Sequence, residues 1–563
     1  MATTEILEKI KSLNIHLHES PDKQDNETYT LLLQIIEMQF EEIKILKAEN
    51  QKLRDENNHL KGEQGKPKIP SNTKKQPVDI SSEKERKRLE LPKPKKSKEK
   101  LSKIKIDRTE VCYVDKSTLP KDAVFKGYEP VVVQGIILKT DNVKYLKEKY
   151  YSKSQNKTFM ANLPDGVEGE FSPAIKSLVL ILKHVANMSE SKILEFLKSI
   201  GTHISASTIS RMLTKKNDVF HQEKADIVLA GLKSSEYQQI DDTGTRVNGQ
   251  NRYVEILCNL YYTAYFTVTH KNRLTVLEIL LGGNPMMYYF NEKAFALLNQ
   301  FKISKKIIGT LHNIAFGKLM NEEQMQQLLE SIIPDPSEGK NRRARIREAG
   351  AIAAYHNQTE ILVAPILLSD DAPQFREIAL AQALCWVHDA RNYKKLNPSI
   401  SINQEALKSF MDKYWKYYGK LLDFKEDPNE EIAEQLSHEF DDLFFTITGY
   451  LALDDRIAKT KCNKTELLMV LQCPQLPLHN NAAELGARAQ VRKRDVSLHT
   501  MSEDGTAAND TFSTIVQTAK KLGVNIYDYI YDRVSKTNQI ISLAEMIGKK
   551  SLALDNCDGV ATL

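Results

Sequence analysis

Two short strand-like runs, each emptying into a pair of aspartates, constrain this chain more than any other feature. Residues 237–240 read as a strand and lead straight into Asp241-Asp242-Thr243-Gly244; residues 361–368 read as another strand and end in Ser369-Asp370-Asp371. Short runs with aromatic and β-branched content, bounded by turn residues, are the sequence sign of strands. After the first acid pair the chain turns at Asn248-Gly249, and residues 252–260 and 261–269 have the β-branched and aromatic content of paired antiparallel strands. One acid at a strand end is usually a turn or capping residue. Two strands that each deliver a pair of carboxylates ask for more than turn chemistry.

Composition narrows the class. A chain of 563 residues exceeds one hydrophobic core and, at roughly 150 residues per domain, is modular, with three or four units. Hydrophobic residues make up 41% and charged residues 27%, well away from the disordered and membrane classes. No apolar run reaches the roughly 20 residues a bilayer needs, and residues 1–13 alternate charged and apolar types, so a cytosolic protein with no membrane partner is expected. The six cysteines are scattered without a CxxC pair, which supports neither a disulfide framework nor a thiolate zinc site. With 79 basic against 74 acidic residues the net charge is only +5, so where the charges sit matters more than their sum.

Residues 1–65 hold a heptad pattern over 32–60, with Leu32, Leu46, Leu53 and Leu60 on one seam and Ile36, Ile43, Asn50 and Asn57 on the other. Asparagine on such a seam fixes register and favours two parallel strands, which makes a homodimer the natural reading and a single helix packed on its own domain the alternative. Residues 66–106 mix proline with lysine and arginine, including Lys93, Lys95, Lys96 and Lys98. Such a segment buries too little apolar surface to fold. Its charge gives sequence-blind affinity for DNA phosphates, unless it is merely a solvated linker.

Residues 107–170, with a β-like run at 131–139, are expected to form a small β-rich module. Residues 171–232 read as helices, two of them within 189–213 joined by a turn near 201–205. Ser205 is a plausible N-cap, and Ser207, Thr208 and Arg211 would point outward, as in the reading helix of a helix-turn-helix or on the surface of a plain bundle. Residues 233–535 then carry the acids, interrupted by helical stretches at 291–354 and 403–471, and residues 536–563 form a tail. The run Lys340-Asn341-Arg342-Arg343-Ala344-Arg345-Ile346-Arg347 suits a DNA backbone or an exposed helix face. Residues 510–534 read as a closing helix pair that covers the sheet.

A third acid follows. Leu478-His479-Asn480-Asn481-Ala482-Ala483-Glu484 enters a helix that continues through Arg488, Arg492, Lys493 and Arg494, with Glu484 and Arg488 on one face. If the two strands are neighbours and this helix crosses them, three carboxylates converge. Converging anions repel, and hard divalent cations with oxygen ligands are the simplest compensation. Two such ions about 4 Å apart serve in-line attack at a phosphodiester.

The stretches IDDTGTRVNG from Ile240, SDDAPQF from Ser369, LCWVHDAR from Leu384 and HNNAAELGARAQVRKRD from His479 resemble the motifs of the insertion-sequence-66 family of bacterial DDE transposases. The resemblance covers roughly residues 171–535, and the heptad and basic segments also look like that family's N-terminal region. It implies an α/β fold with a ribonuclease-H-like catalytic core, a mixed sheet flanked by helices. It also implies an enzyme that binds transposon ends and target DNA and carries out metal-dependent strand cleavage and strand transfer in the bacterial cytosol, with or without accessory transposition proteins. Residue by residue it makes Asp241, Asp370 and Glu484 the catalytic, metal-holding acids, with Mg2+ as the ion and Mn2+ able to substitute.

The resemblance also makes Asn480 and Asn481 the residues that orient the glutamate. Within the hallmark after the second acid, Cys385 and Trp386 read as core packing and Arg391 as a phosphate ligand, while His388 either touches DNA or the site or packs in the core. Arg488, Arg492, Lys493 and Arg494 are further candidates for DNA. Family members often carry a cysteine and histidine zinc module before the catalytic region; the corresponding stretch here holds only Cys112, so no zinc is expected. Neighbours on a strand face opposite ways, so Asp242 and Asp371 should turn from the metals. A nuclease or resolvase of the same fold, or an inactive architectural DNA-binding protein, would share most of these features.

Overall fold

The computed structural model describes scattered helical positions between residues 32 and 54 and then residues 104–558, with gaps at 121–122, 165–166, 168, 335–338 and 360–361. Among these residues no helix is long and apolar enough to cross a membrane. Leu32, Ile36, Ile43, Leu46, Asn50 and Leu53 are helical, and Leu32, Ile43, Leu46 and Leu53 are exposed; Asn57, Leu60 and the lysines at 93, 95, 96 and 98 lie outside the described residues.

The expected strand at 131–139 does not form: Val131, Val133, Ile136 and Ile137 are exposed and in no ladder. β-Propensity is realised only against a partner strand, and among the described residues none pairs with this run. The β-content of this region is instead a hairpin, β1 (Lys149–Ser152) and β2 (Lys157–Met160).

Four helices follow, α1 (Pro173–His184), α2 (Glu190–Ser199), α3 (Ala206–Thr214) and α4 (Asp218–Lys233). The Ser205 hydroxyl accepts from the Thr208 amide at 3.2 Å and so caps α3 as read. Val179, Ile193, Leu197, Ile209 and Leu213 are buried in one cluster with Ile240, Leu257 and Leu367 of the sheet, so these helices share a core with the strands.

The sheet begins with β3 (Tyr237–Val247), β4 (Gln250–Cys258) and β5 (Thr263–Val268), an antiparallel meander turning first at Asn248 and Gly249, whose φ angles are 48° and 77°. After α5 (Arg273–Leu280) comes the first helical insertion: β6 (Tyr288–Tyr289), α6 (Glu292–Gln300), α7 (Lys305–Ala315), β7 (Leu319–Met320), α8 (Glu322–Ile332) and α9 (Lys340–Asn357). Strands β8 (Ile366–Ser369) and β9 (Ala381–Leu384) then join parallel to β3, giving the order β5-β4-β3-β8-β9.

Helix α10 (Trp386–Lys394) opens the second insertion, α11 (Ser401–Glu426), α12 (Glu430–Phe444) and α13 (Leu451–Cys462), whose own core gathers Tyr414, Tyr417, Phe440 and Phe444 around the buried Trp386. The chain closes with α14 (Asn481–Ser497), α15 (Glu503–Leu522), α16 (Ile526–Val534) and α17 (Leu543–Asp558).

The closing helices protect the sheet at its edge. The amides of Thr263, Tyr265 and Thr267 on β5 donate to Thr518 Oγ1 (3.2 Å), Thr514 Oγ1 (3.1 Å) and Asp510 Oδ2 (2.6 Å) on α15. Two residues of strand and four of helix both advance roughly 6–7 Å, so one polar side chain per helical turn meets each outward amide. An edge that would otherwise template another strand is thereby satisfied.

Candidate active site

Strand β3 is longer than its sequence reading. It continues to Val247, so Asp241 and Asp242 lie within the strand and not at its end. The meander pairs this whole segment, Asp241 opposite Ile256 and Asp242 opposite Glu255. The β3–β8 register sets Tyr237, Gln238 and Gln239 against Ile366, Leu367 and Leu368; extended by two residues, it brings Asp241 level with Asp370, just past the end of β8. Alternation puts Asp241 and Asp370 on one face, with Leu368 and Ile256.

Helix α14 lies on that face, its Ala487 packed with Val254, Ile256 and Tyr265. Two features bring it close. The buried Asn480 donates through Nδ2 to the carbonyl of Ile240 at 2.6 Å, tying the start of α14 to the residue before Asp241. Gly486 leaves no Cβ where one would stand 2.8 Å from Ile256 Cγ2. Asn480 therefore positions the glutamate through the helix: its carbonyl accepts the Glu484 amide at 3.1 Å, while its side chain goes to β3. Asn481 is the first residue of α14, its amide donating to His479 Nδ1 at 3.3 Å.

The electrostatics follow from this convergence. Burial pushes the pKa of Asp241 up to about 7, and Asp242, Asp370 and Glu484 push in the same direction. Asp242 and Asp371 are spoken for elsewhere. Lys271 Nζ stands 2.6 Å from Asp242, which also accepts from Gln374 Nε2 at 3.2 Å; Asp371 is paired with Arg376. Glu484 is held by arginine: Arg391 Nη2 donates to Oε2 at 3.0 Å and Arg488 Nη2 is 3.8 Å away, while His388 Nε2 lies 3.6 Å from Oε1. Burial lowers the pKa of His388, and its Nε2 accepts from Arg391 Nη1 at 2.9 Å, so the ring is neutral with its proton on Nδ1.

Asp241 and Asp370 offer the oxygen donors that hard divalent ions take, and their mutual repulsion is what a cation relieves. The donor chemistry thus fits such an ion. As folded, the third carboxylate is turned to arginine, and among the described residues no three His, Cys, Asp or Glu side chains are gathered to hold one ion.

The other residues singled out in the sequence divide. Cys385 and Trp386 are core residues as read: Cys385 Sγ accepts from the Asn480 amide at 3.2 Å and Trp386 Nε1 donates to the Leu467 carbonyl at 2.8 Å. Arg488 and Arg492 are exposed on α14, whereas Arg494 donates to the Gly244 carbonyl.

Lys493 turns inward, against the expectation of a phosphate ligand. It donates to Ser513 Oγ at 2.8 Å and Asn509 Oδ1 at 3.2 Å, and burial, with Lys183 nearby, pushes its pKa down to about 7. The packing of α15 against α14 decides this arc, which helical phase alone could not. On α3, Ser207 and Arg211 are exposed, but Thr208 is half-buried and the hydroxyls of Ser207 and Thr208 both bond to Ser205, within the cap. The basic run opening α9 is largely used inside the insertion: Arg343 bonds the Ile333 carbonyl, Arg345 the Phe301 carbonyl at 2.7 Å, and Arg347 pairs with Glu322.

One acid escapes a reading of the sequence. Glu255 is fully buried on the face opposite Asp241, both carboxyl oxygens lack a hydrogen bond, and burial beside Asp242 pushes its pKa up to about 8. The signal for it is one acid in the otherwise apolar segment Tyr253-Val254-Glu255-Ile256-Leu257-Cys258 of a central strand.

The chain belongs with the transposases: it is a member of the family described as Transposase IS66 family, which it matches over residues 347–508. That span includes Asp370, the segment from Cys385 to Arg391, and Glu484; Asp241 lies before it. The chain is also 32% identical over 323 residues to an uncharacterized protein, y4jO, of Sinorhizobium fredii (strain NBRC 101917 / NGR234), an alignment covering 57% of this chain and 99% of that protein.

Proposed function

We propose that this transposase cuts and joins DNA strands at a site made by Asp241, Asp370 and Glu484, in a core of the ribonuclease-H-like type. The observation that carries the reading is the register of β3 and β8, which levels two aspartates on one face beneath the helix that bears Glu484. Magnesium, with manganese as substitute, is the ion these acids would hold, and it would supply an activated nucleophile and charge relief at the leaving oxygen. Asp241 and Asp370 hold the metal side of the site, Asn480 keeps α14 against β3, and the exposed Arg488 and Arg492 bind phosphate. Ser207 and Arg211 on α3 and the lysines at 93, 95, 96 and 98 add DNA affinity, and the heptad segment joins two copies.

The test is to incubate the full chain with a pre-cut transposon end, target DNA and Mg2+. Joined product is expected; cut DNA without joining would make the chain a nuclease. Elemental analysis should find no stoichiometric zinc, and about one zinc per chain would overturn that part.

A further inference from the structure

As folded, Glu484 gives Oε2 to arginine and does not join Asp241 and Asp370 in a metal-holding group. Its side chain is 13% exposed and that of Arg391 36%, so the guanidinium stands on the solvent side of the acid. Arg391 divides its donor fork, Nη2 to Glu484 Oε2 at 3.0 Å and Nη1 to His388 Nε2 at 2.9 Å. A planar guanidinium donates to the oxygens of a carboxylate or a phosphodiester with the same geometry. The pairs on Asp242 and Asp371 engage acids that turn from the site, whereas this pair engages one of the three proposed ligands.

We propose that Arg391 is an exchange latch: in the free protein it holds Glu484, and a DNA phosphate takes the carboxylate's place on the guanidinium, releasing Glu484 to complete the metal seat. This rests on the carboxylate reading above. His388 keeps the guanidinium at the site by accepting from Nη1, so the exchange needs only the Nη2 side to change partner. Coupling between two ligands is reciprocal, so DNA tightens metal binding and the metal tightens DNA binding by the same factor.

The experiment measures Mn2+ affinity of the full chain by calorimetry, with and without a short DNA duplex. Arg391→Gln should bind Mn2+ about tenfold more tightly than wild type without DNA, the scale of one charged hydrogen bond removed from a competitor. The duplex should tighten Mn2+ binding to wild type and leave the variant nearly unchanged. A structural ion pair predicts the reverse, since losing it would loosen α14 and weaken the metal. Asp370→Asn should abolish Mn2+ binding in both backgrounds.

If Asp370→Asn abolishes binding but Arg391→Gln gains no affinity, the latch is wrong and the metal seat stands; if Asp370→Asn leaves Mn2+ affinity intact, the seat falls and the latch with it. Should Arg391→Gln fail to fold, Arg391→Lys serves: its single ammonium holds the carboxylate less well, so affinity must rise by a smaller factor, and no rise overturns the proposal.

Discussion

Glu255 shows how far a single side chain can set the pH response of the molecule. Its folded pKa, pushed up to about 8 by burial beside Asp242, lies above that of an unfolded glutamate. The folded state therefore binds the proton more tightly, and the stability this gives is present at low pH and lost as pH rises through 8. Glu255→Gln removes the charge at nearly constant volume. Between pH 6 and 8 the variant should gain on wild type by about 1 kcal/mol per pH unit, and the gap should flatten above that range. Thermal melts across pH read this directly, and a gap independent of pH would mean that the buried carboxyl is not what titrates.

The same scale shows the limits of sequence. Alternation along a strand separates Asp241 from Asp242 correctly, but the partners that engage the second acids, Lys271 and Arg376, are set by chain turns that no spacing rule reveals. Lys493 misleads because a basic residue on a basic helix says nothing about which arc a later helix will cover.

At the scale of elements, the site depends on how near α14 lies to the sheet. Gly486→Ala would normally favour a helix by up to about 1 kcal/mol. Here the new Cβ meets Ile256, so the sign should reverse, with a loss of about 1–3 kcal/mol and a fall in strand cleavage as Glu484 is displaced. At Gly419, on α11, a Cβ would meet nothing within 4 Å, and Gly419→Ala should hold or raise the melting midpoint. If the two variants behaved alike, close packing at Gly486 would not be what holds the helix.

Elements are the most legible part of the chain: the meander strands, the Asn248-Gly249 turn, the cap at Ser205 and the helical insertions all follow from local pattern, whereas the run read as a strand over 361–368 is one only at Ile366–Ser369. The failures have one cause. β3 outruns its apolar stretch because β4 pairs it as far as Val247, and residues 131–139 remain out of any ladder for want of such a partner. Strand length is decided by the neighbour as much as by the strand.

For the whole molecule, the question is what the N-terminal segments add to a proposed site built much later in the chain. Leu32, Ile43, Leu46 and Leu53 stand at helical positions and are exposed, and the partner proposed for them is a second copy. Removing residues 1–65 should convert a dimer into a monomer in sedimentation experiments, and an unchanged mass would rule out the coiled coil as the dimer contact. The central claim, that the three acids perform the chemistry, is tested most directly by strand cleavage of a transposon-end duplex in Mg2+, comparing Asp370→Asn with its neighbour Asp371→Asn. A fall of about a hundredfold or more is predicted for Asp370→Asn with DNA affinity retained, and near-normal cleavage for Asp371→Asn, whose side chain pairs with Arg376. Inactivity of Asp371→Asn with activity of Asp370→Asn would move the second ligand by one residue, and full cleavage by both would contradict the metal-site reading.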